Sequence, residues 1–335
     1  MSSLYTEEQI RSGEHGSYEE AVSYFTRHTD AELREDYMKL RLLDAGELRA
    51  ARFGNTVIDH FQMRAFFRTT RERKETLEAI LSDPEKRVKW WKSCKRDPQT
   101  NEGRRLAEHW FRITCITAFR PSIAKSMYQR FGATHVLDPT AGWGGRMLGA
   151  AALDIAYTGI DTNLDLKAGY DGMMALVGKP NLTMLWQPCL EVDFSEIDYD
   201  MVLTSPPYVN KEVYQHMKRF ESERAFYVDF LIPLLRKCLA HIRRDGWVFF
   251  NIDPAMYRSL LIHGFPEAHE QIGMPNERGE AKEFIYGWRN RPAPARAPAA
   301  PPPPATPATP CAACPDCAAK DEQIAALRAA LKALL

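Results

Sequence analysis

The sequence predicts an α/β protein: a mostly parallel, Rossmann-like sheet with crossover helices and an antiparallel hairpin at one edge, preceded by a helical region and followed by a C-terminal helix. Three observations carry that expectation. From about residue 116, short apolar runs alternate with stretches of helical periodicity. Several of those runs break at their ends into acidic, glycine-rich or proline-rich turns. Before residue 116 the apolar residues fall only at helical intervals.

Residues 1–115 are therefore expected to be helical. "SYEEAVSYFTRHTDAELREDYMKLRLLDAGELRAARFG" and "MRAFFRTTRERKETLEAILSDPEKRVKWWKSC" carry the spacing, with Ser17 and Ser82-Asp83-Pro84 as helix starts. Residues 116–291 form the α/β region. A helix "PSIAKSMYQRFG" ends at Gly132, and the strand "THVLD" breaks into "PTAGWGG". The helix "RMLGAAALD", the strand "AYTGID", a helix near "DLKAGYDGMMALVG" and the strand "LTMLWQ" follow. "DMVLT" runs into "SPPYVN"; then come a helix "FYVDFLIPLLRKCLAHIRRDG" and the strand "WVFFNI". "HEQIGMPNERGEAKEFIYGWRNR" has the pattern of two strands with a loop between them. Residues 292–318 read as an extended Pro/Ala linker ending in Cys311, Cys314 and Cys317. Residues 319–335 place Ile324, Leu327, Leu331, Leu334 and Leu335 on one stripe, which suits a short coiled coil, and self-association, or a docking helix.

The chain has 335 residues with 44 basic and 44 acidic side chains, so the total charge names no partner. Its distribution is uneven. Residues 64–130 hold 17 basic against 8 acidic residues, while residues 131–205 hold 3 against 10. A basic block suits a polyanion, or it is a solvated helical face. No apolar run could span a bilayer and the first residues have no signal-peptide pattern, so the expected setting is soluble and intracellular, cytoplasmic or nuclear according to host, without a membrane partner. The three tail cysteines have metal-like spacing but no nearby fourth ligand; zinc shared between two chains and free thiols both remain open, and no metal is assigned.

"VLDPTAGWGG" is strand, acid, glycine-rich turn, helix start. The turn Pro139, Thr140, Ala141, Gly142, Gly144 lets backbone approach a ligand at a helix N-terminus. Its spacing is not that of a dinucleotide fingerprint. Asp138 would repel a pyrophosphate and suit a cationic, amino-acid-like ligand. Asp161, ending the next strand before Thr162, could accept from both hydroxyls of a ribose, or cap a helix.

"DPTAGWGG", "GIDTN" and "TSPPY" together resemble the class I, S-adenosylmethionine-dependent amino-methyltransferases of DNA, over roughly residues 116–291. The resemblance implies that the glycine-rich turn wraps the methionine part of S-adenosylmethionine, that Asp161 holds the ribose, that Thr162 and Thr204 belong with the cofactor-binding residues, and that Ser205-Pro206-Pro207-Tyr208 stand at the target amine. It also implies that Phe119 and Pro121 of "FRPSIAK" pack on the cofactor and that Pro188 lines the adenine pocket. Ser205 can offer a side-chain oxygen and Pro206 a fixed carbonyl to the two N–H bonds of an exocyclic amine, and Tyr208 can stack on a base turned out of its helix. Cys189 and Cys238 are expected to be packing residues. Ser at the first motif position resembles cytosine-N4 enzymes, with adenine-N6 enzymes, enzymes of RNA or protein glutamine, and a non-catalytic oligomerising scaffold as alternatives. The expected partner is double-stranded DNA, in DNA methylation of the restriction–modification kind. DNA recognition would fall to the helical region, through Trp90, Trp91, Lys92, Lys95 and Arg96, and to the loop carrying Lys211, Lys218, Arg219 and Arg224. Trp143 could cover the cofactor or pack under the helical region.

Overall fold

The computed structural model describes residues 5–44, 48, 50–71, 75–94, 101–114, 117–208, 212–213, 220–274 and 283–290. Residues 1–291 form one compact unit. The linker, the cysteine triplet and the expected terminal helix lie outside the described residues.

The helical region comprises α1 (Glu7–Ser12), α2 (Tyr18–Thr26), α3 (Asp30–Leu42), α4 (Asn55–Arg68), the two-residue strand β1 (Thr70–Arg71), α5 (Leu77–Ser82), α6 (Pro84–Ser93) and α7 (Glu102–Thr114). Local chemistry sets its boundaries. Thr6 and Thr29 close capping boxes with Gln9 and Glu32. Ser17 caps α2, and Asp83 caps α6 with Pro84 in the first turn.

The α/β region runs α8 (Pro121–Phe131), β2 (His135–Asp138), α9 (Gly145–Ala152), β3 (Ala156–Asp161), α10 (Lys167–Val177), β4 (Leu182–Trp186), β5 (Met201–Thr204) and β6 (Glu212–Val213). It continues through α11 (Glu223–Phe226), α12 (Ile232–His241), β7 (Trp247–Ile252), α13 (Pro254–Ile262), β8 (Glu270–Gly273) and β9 (Phe284–Arg289). Gly132 ends α8 in the left-handed region, where a side chain would be strained. α13 is an element the sequence reading did not place. Asp253 caps it and Pro254 opens it.

Seven strands form one sheet in the order β4-β3-β2-β5-β7-β9-β8. The first five in that order are mutually parallel, and β9 pairs antiparallel with both β7 and β8. This is the mostly parallel, Rossmann-like α/β sheet with an antiparallel edge pair that the sequence predicts. The chain leaves β2 toward β4 and returns on the other side at β5, so the switch point of strand order lies between β2 and β5.

Alternate strand residues feed two cores. Val136, Met201, Leu203 and Phe249 face a core shared with α8, α9, α10 and the helical region. Leu137, Val202, Val248 and Phe250 face a core shared with α11, α12 and α13. The helical region is thus part of one face of the sheet. Lys125, buried on α8, donates to the carbonyls of Leu40, Arg41 and Leu43 at 3.0, 2.7 and 2.6 Å and so closes the C-terminus of α3. Arg120 and Ser122 donate to the carbonyls of Ala50 and Ala51. β1 pairs antiparallel with β6, which ties the segment after "SPPY" to the end of α4.

α11 and α12 are one continuous helix interrupted by a single π-helical turn, Tyr227–Leu231. Ile232 N–H reaches back five residues to the Tyr227 carbonyl. Pro233 follows at once and has no N–H for the carbonyl four residues before it, at Asp229, so the regular ladder is broken there.

Candidate functional site

The carboxyl ends of the parallel strands carry polar residues: Asp138 on β2, Asp161 on β3, Thr204 on β5 and Asn251 on β7. Between and above them lies a cavity of about 690 Å³, a size ordinary for a cofactor or substrate site.

One wall is the turn between β2 and α9. Gly142 adopts φ +57 and Gly144 φ +91, which side chains rarely tolerate. A Cβ on Gly145 would lie 1.8 Å from the Phe119 carbonyl oxygen, so that glycine is required by packing. A Cβ on Gly142 would meet nothing nearer than 3.9 Å, so its freedom serves the turn and the open cavity beside it. Asp161 receives Gly142 N–H at 2.8 Å and Asn163 N–H at 2.9 Å. Burial raises its carboxyl pKa, and those two N–H groups oppose the rise. Asp161 lines the cavity, as do Phe119, Pro139, Thr140, Ala141, Gly142, Thr162 and Pro188.

Four sequence-assigned residues stand elsewhere. Asp138, fully buried, does not line the cavity. Its carboxylate accepts from Arg146 Nε at 2.6 Å, Tyr157 Oη at 2.8 Å and Thr204 Oγ1 at 2.8 Å. Asp138 therefore has its charge met by Arg146 and stands behind the cavity lining, not on it where the sequence reading put it. Burial works against the Arg146 charge, yet Asp138 overrides it and the guanidinium pKa is raised. Arg146 Nη2 donates to the carbonyls of Thr140 and Ala141, so this ion pair moulds the turn from beneath. Thr204 is buried too. Its hydroxyl donates to Asp138, so Thr140 must be the donor across the 2.7 Å Thr140–Thr204 hydroxyl pair. Gly144 caps α9 with its Cα against Met173, and Pro121 packs at Gly54 as the first residue of α8. These four are supports rather than lining residues.

The opposite wall is Ser205, Pro206, Pro207 and Tyr208, joined by Phe220, Asp229, Phe230, Asn251, Met274 and Glu283. The structure thus brings the glycine-rich turn, Asp161 and the proline motif to one cavity. Asn251, Asp229 and Phe230 were not singled out in the sequence. Asn251 had a readable signal, because it is a polar residue one position before the end of an apolar parallel strand, close to where Asp138, Asp161 and Thr204 end theirs. Trp143 both lines the cavity and stacks on Phe66 of α4, with ring centroids 3.7 Å apart and planes 15° apart. Cys189 also lines it, and burial pushes its thiol up to about 12, so it supplies no thiolate nucleophile near neutral pH. Cys238 is wholly buried.

The basic block is largely engaged within the molecule. Arg64 pairs with Glu19, Arg68 with Glu78, Lys86 with Glu75, and Lys92 with Glu7 at 2.6 Å. Arg87 is buried on the carbonyls of Leu81 and Ile10. Trp91 is buried and Trp90 donates to the Leu106 carbonyl. Arg224 is exposed on α11. Lys95, Arg96, Lys211, Lys218 and Arg219 lie outside the described residues. No described helix is long and apolar enough to cross a membrane.

No family model and no curated protein matches the chain. Solved structures match part of the chain at low identity. TrmN from Thermus thermophilus is 16% identical, with a TM-score of 0.40, over 54% of this chain and 52% of its own. The chain thus spans about half the length of that protein. The 16S rRNA N2 G1207 methyltransferase RsmC of T. thermophilus, solved with AdoMet and guanosine, is 16% identical over 52% of this chain and 44% of its own, with a TM-score of 0.37. An RNA methyltransferase from Salinibacter ruber, in complex with S-adenosyl-L-homocysteine, is 13% identical over 54% of this chain and 97% of its own, with a TM-score of 0.36.

Proposed function

We propose that the protein transfers a methyl group from S-adenosylmethionine to an exocyclic amine of a nucleobase, with cytosine N4 in DNA as the favoured target. One observation carries the reading: Gly142 and Asp161 on one wall and Ser205–Tyr208 on the other face a single cavity at the strand switch point. The donor set fits the cofactor. Asp161 offers a carboxylate for the ribose hydroxyls, Pro188 and Trp143 offer apolar surface, and Gly142 lets the backbone approach. When bound, S-adenosylmethionine supplies a methyl group activated by a sulfonium.

The amine needs the protein more than the methyl group does. Its lone pair is delocalised into the base. Ser205 Oγ and the Pro206 carbonyl can hold its two N–H bonds and favour a pyramidal nitrogen, while Tyr208 offers a face for stacking. With the cofactor held beside Gly142 and Asp161, Ser205 and Pro206 would direct the nitrogen lone pair at the methyl group it supplies, and one nitrogen proton would leave to solvent. Ser205 is the residue that favours cytosine, through the resemblance of its motif. Double-stranded DNA as the polymer is part of this proposal.

Incubation with methyl-labelled cofactor and parallel duplex DNA, RNA and protein tests it. Label is expected in DNA and, after digestion to nucleosides, on cytosine N4. Ser205→Ala is expected to lower transfer at least about a hundredfold with cofactor affinity retained, by analogy with loss of one preorganised transition-state contact. Label confined to RNA or protein, or full activity in Ser205→Ala, would overturn the reading.

A further inference from the structure

Ser205 has one hydroxyl proton and two lone pairs. To accept an N–H from an amine it must send its own proton elsewhere. A hydroxyl free to rotate can instead donate to the amine's lone pair, which is the electron pair the reaction needs. The structure holds an acceptor for that proton. Ser205 Oγ lies 3.3 Å from Asn251 Oδ1 and 3.5 Å from the Asn251 backbone carbonyl oxygen.

Asn251 is itself fixed. It is 4% exposed, and its Nδ2 donates to the Phe284 carbonyl at 3.1 Å, which orients Oδ1 toward Ser205. Its backbone sits inside the β7–β9 ladder opposite Ile285, with the Thr204–Phe250 pair beside it. The 3.3 Å separation is long for a hydroxyl bond, and such contacts commonly tighten when the substrate arrives.

We propose that Asn251 is a positioning residue: it takes the Ser205 hydroxyl proton, so that Ser205 presents lone pairs, and not a proton, to the target amine. The inference rests on the reaction proposed above. It also specifies that reaction: the group at Ser205 must be a hydrogen-bond donor, as an amine is and a ring carbon or carboxylate is not.

The test is a mutant cycle of Ser205→Ala, Asn251→Ala and both together, with kcat, KM and cofactor affinity measured for each, using single-turnover label transfer for the slow variants. Asn251→Ala is expected to lower kcat about tenfold, the order of one hydrogen bond, since the backbone carbonyl remains as a poorer acceptor. KM and cofactor affinity should stay within about twofold. With Ala at position 205 there is no hydroxyl to orient, so adding Asn251→Ala should cost less than about twofold. Equal losses in both backgrounds, or a loss of cofactor affinity, would make Asn251 a structural residue and overturn the inference. A second measurement needs no substrate. Neutron diffraction of the deuterated wild type should place the Ser205 hydroxyl deuterium toward Asn251, and a deuterium directed into the cavity overturns the inference. A wild type that methylates none of the polymers defeats the proposed reaction, while the deuterium position still decides the role of Asn251.

Discussion

At the scale of single residues, three carboxylates show how burial and partners separate roles. Asp138 is fully buried and fully engaged, Asp161 is partly exposed and lines the cavity, and Asp59 belongs to neither site. Asp59, on α4, has its carboxyl pushed up to about 7, first by burial and then by the charge of Asp36. Its ordinary value is 3.8, so between about pH 4 and 7 the folded protein keeps a proton that the unfolded chain gives up. This residue's contribution to stability therefore falls as pH rises through that window. Asp59→Asn is expected to raise stability on the order of 2 kcal/mol at pH 8 and hardly at all at pH 4, read by urea unfolding. An equal gain at both values would show that the carboxyl is not shifted. The roles of Asp138 and Asp161 were only half legible in the sequence. Both acids close a strand before a turn, and the pattern does not record that Arg146, eight residues on, folds back beneath one of them.

Among the elements, the sheet was the most legible part. Its strands are short apolar runs that end in polar turns, and the turn residues bound them with little ambiguity. The π-helical turn was not legible, because periodicity read "FYVDFLIPLLRKCLAHIRRDG" as one regular helix. The signal was Pro233, which cannot sit in a regular helix interior without releasing a carbonyl. The turn reaches the cavity, since Asp229 and Phe230 within it line it together with Ser205–Tyr208. It holds one residue more than an α-helical turn would. Deleting Val228, which is 47% exposed, should remove the extra residue of the turn and rotate Asp229 and Phe230 away from the cavity, with Pro233 still leaving one carbonyl without its helical donor. Methyl transfer is expected to fall at least about tenfold, with cofactor affinity little changed, because positioning of the acceptor is the property lost. An active deletion variant with an unaltered KM would show that the turn has no part in substrate placement.

Across the whole molecule, the helical region and the sheet share one core. Phe66 on Trp143, Lys125 on the end of α3, and Arg120 on the Ala50 carbonyl join them through buried or half-buried contacts. A chain beginning at residue 116 would expose that apolar face and leave Lys125 without its three carbonyls. It is expected to be aggregated or to lack fixed tertiary packing by near-ultraviolet circular dichroism and gel filtration. A monodisperse, cofactor-binding fragment would contradict this. The same integration explains why the basic block misled as a charge count. Arg64 and Lys92 are matched by Glu19 and Glu7, which lie outside the block and which its charge sum cannot see, while Arg68 and Lys86 pair with Glu78 and Glu75 within it. Finally, the Thr204 hydroxyl stands between the two walls, giving to Asp138 and receiving from Thr140. A ligand that favours one arrangement of the glycine turn thereby favours one arrangement of the proline turn. On the proposed reaction, thermodynamic reciprocity then makes the factor by which cofactor strengthens acceptor binding the factor by which acceptor strengthens cofactor binding.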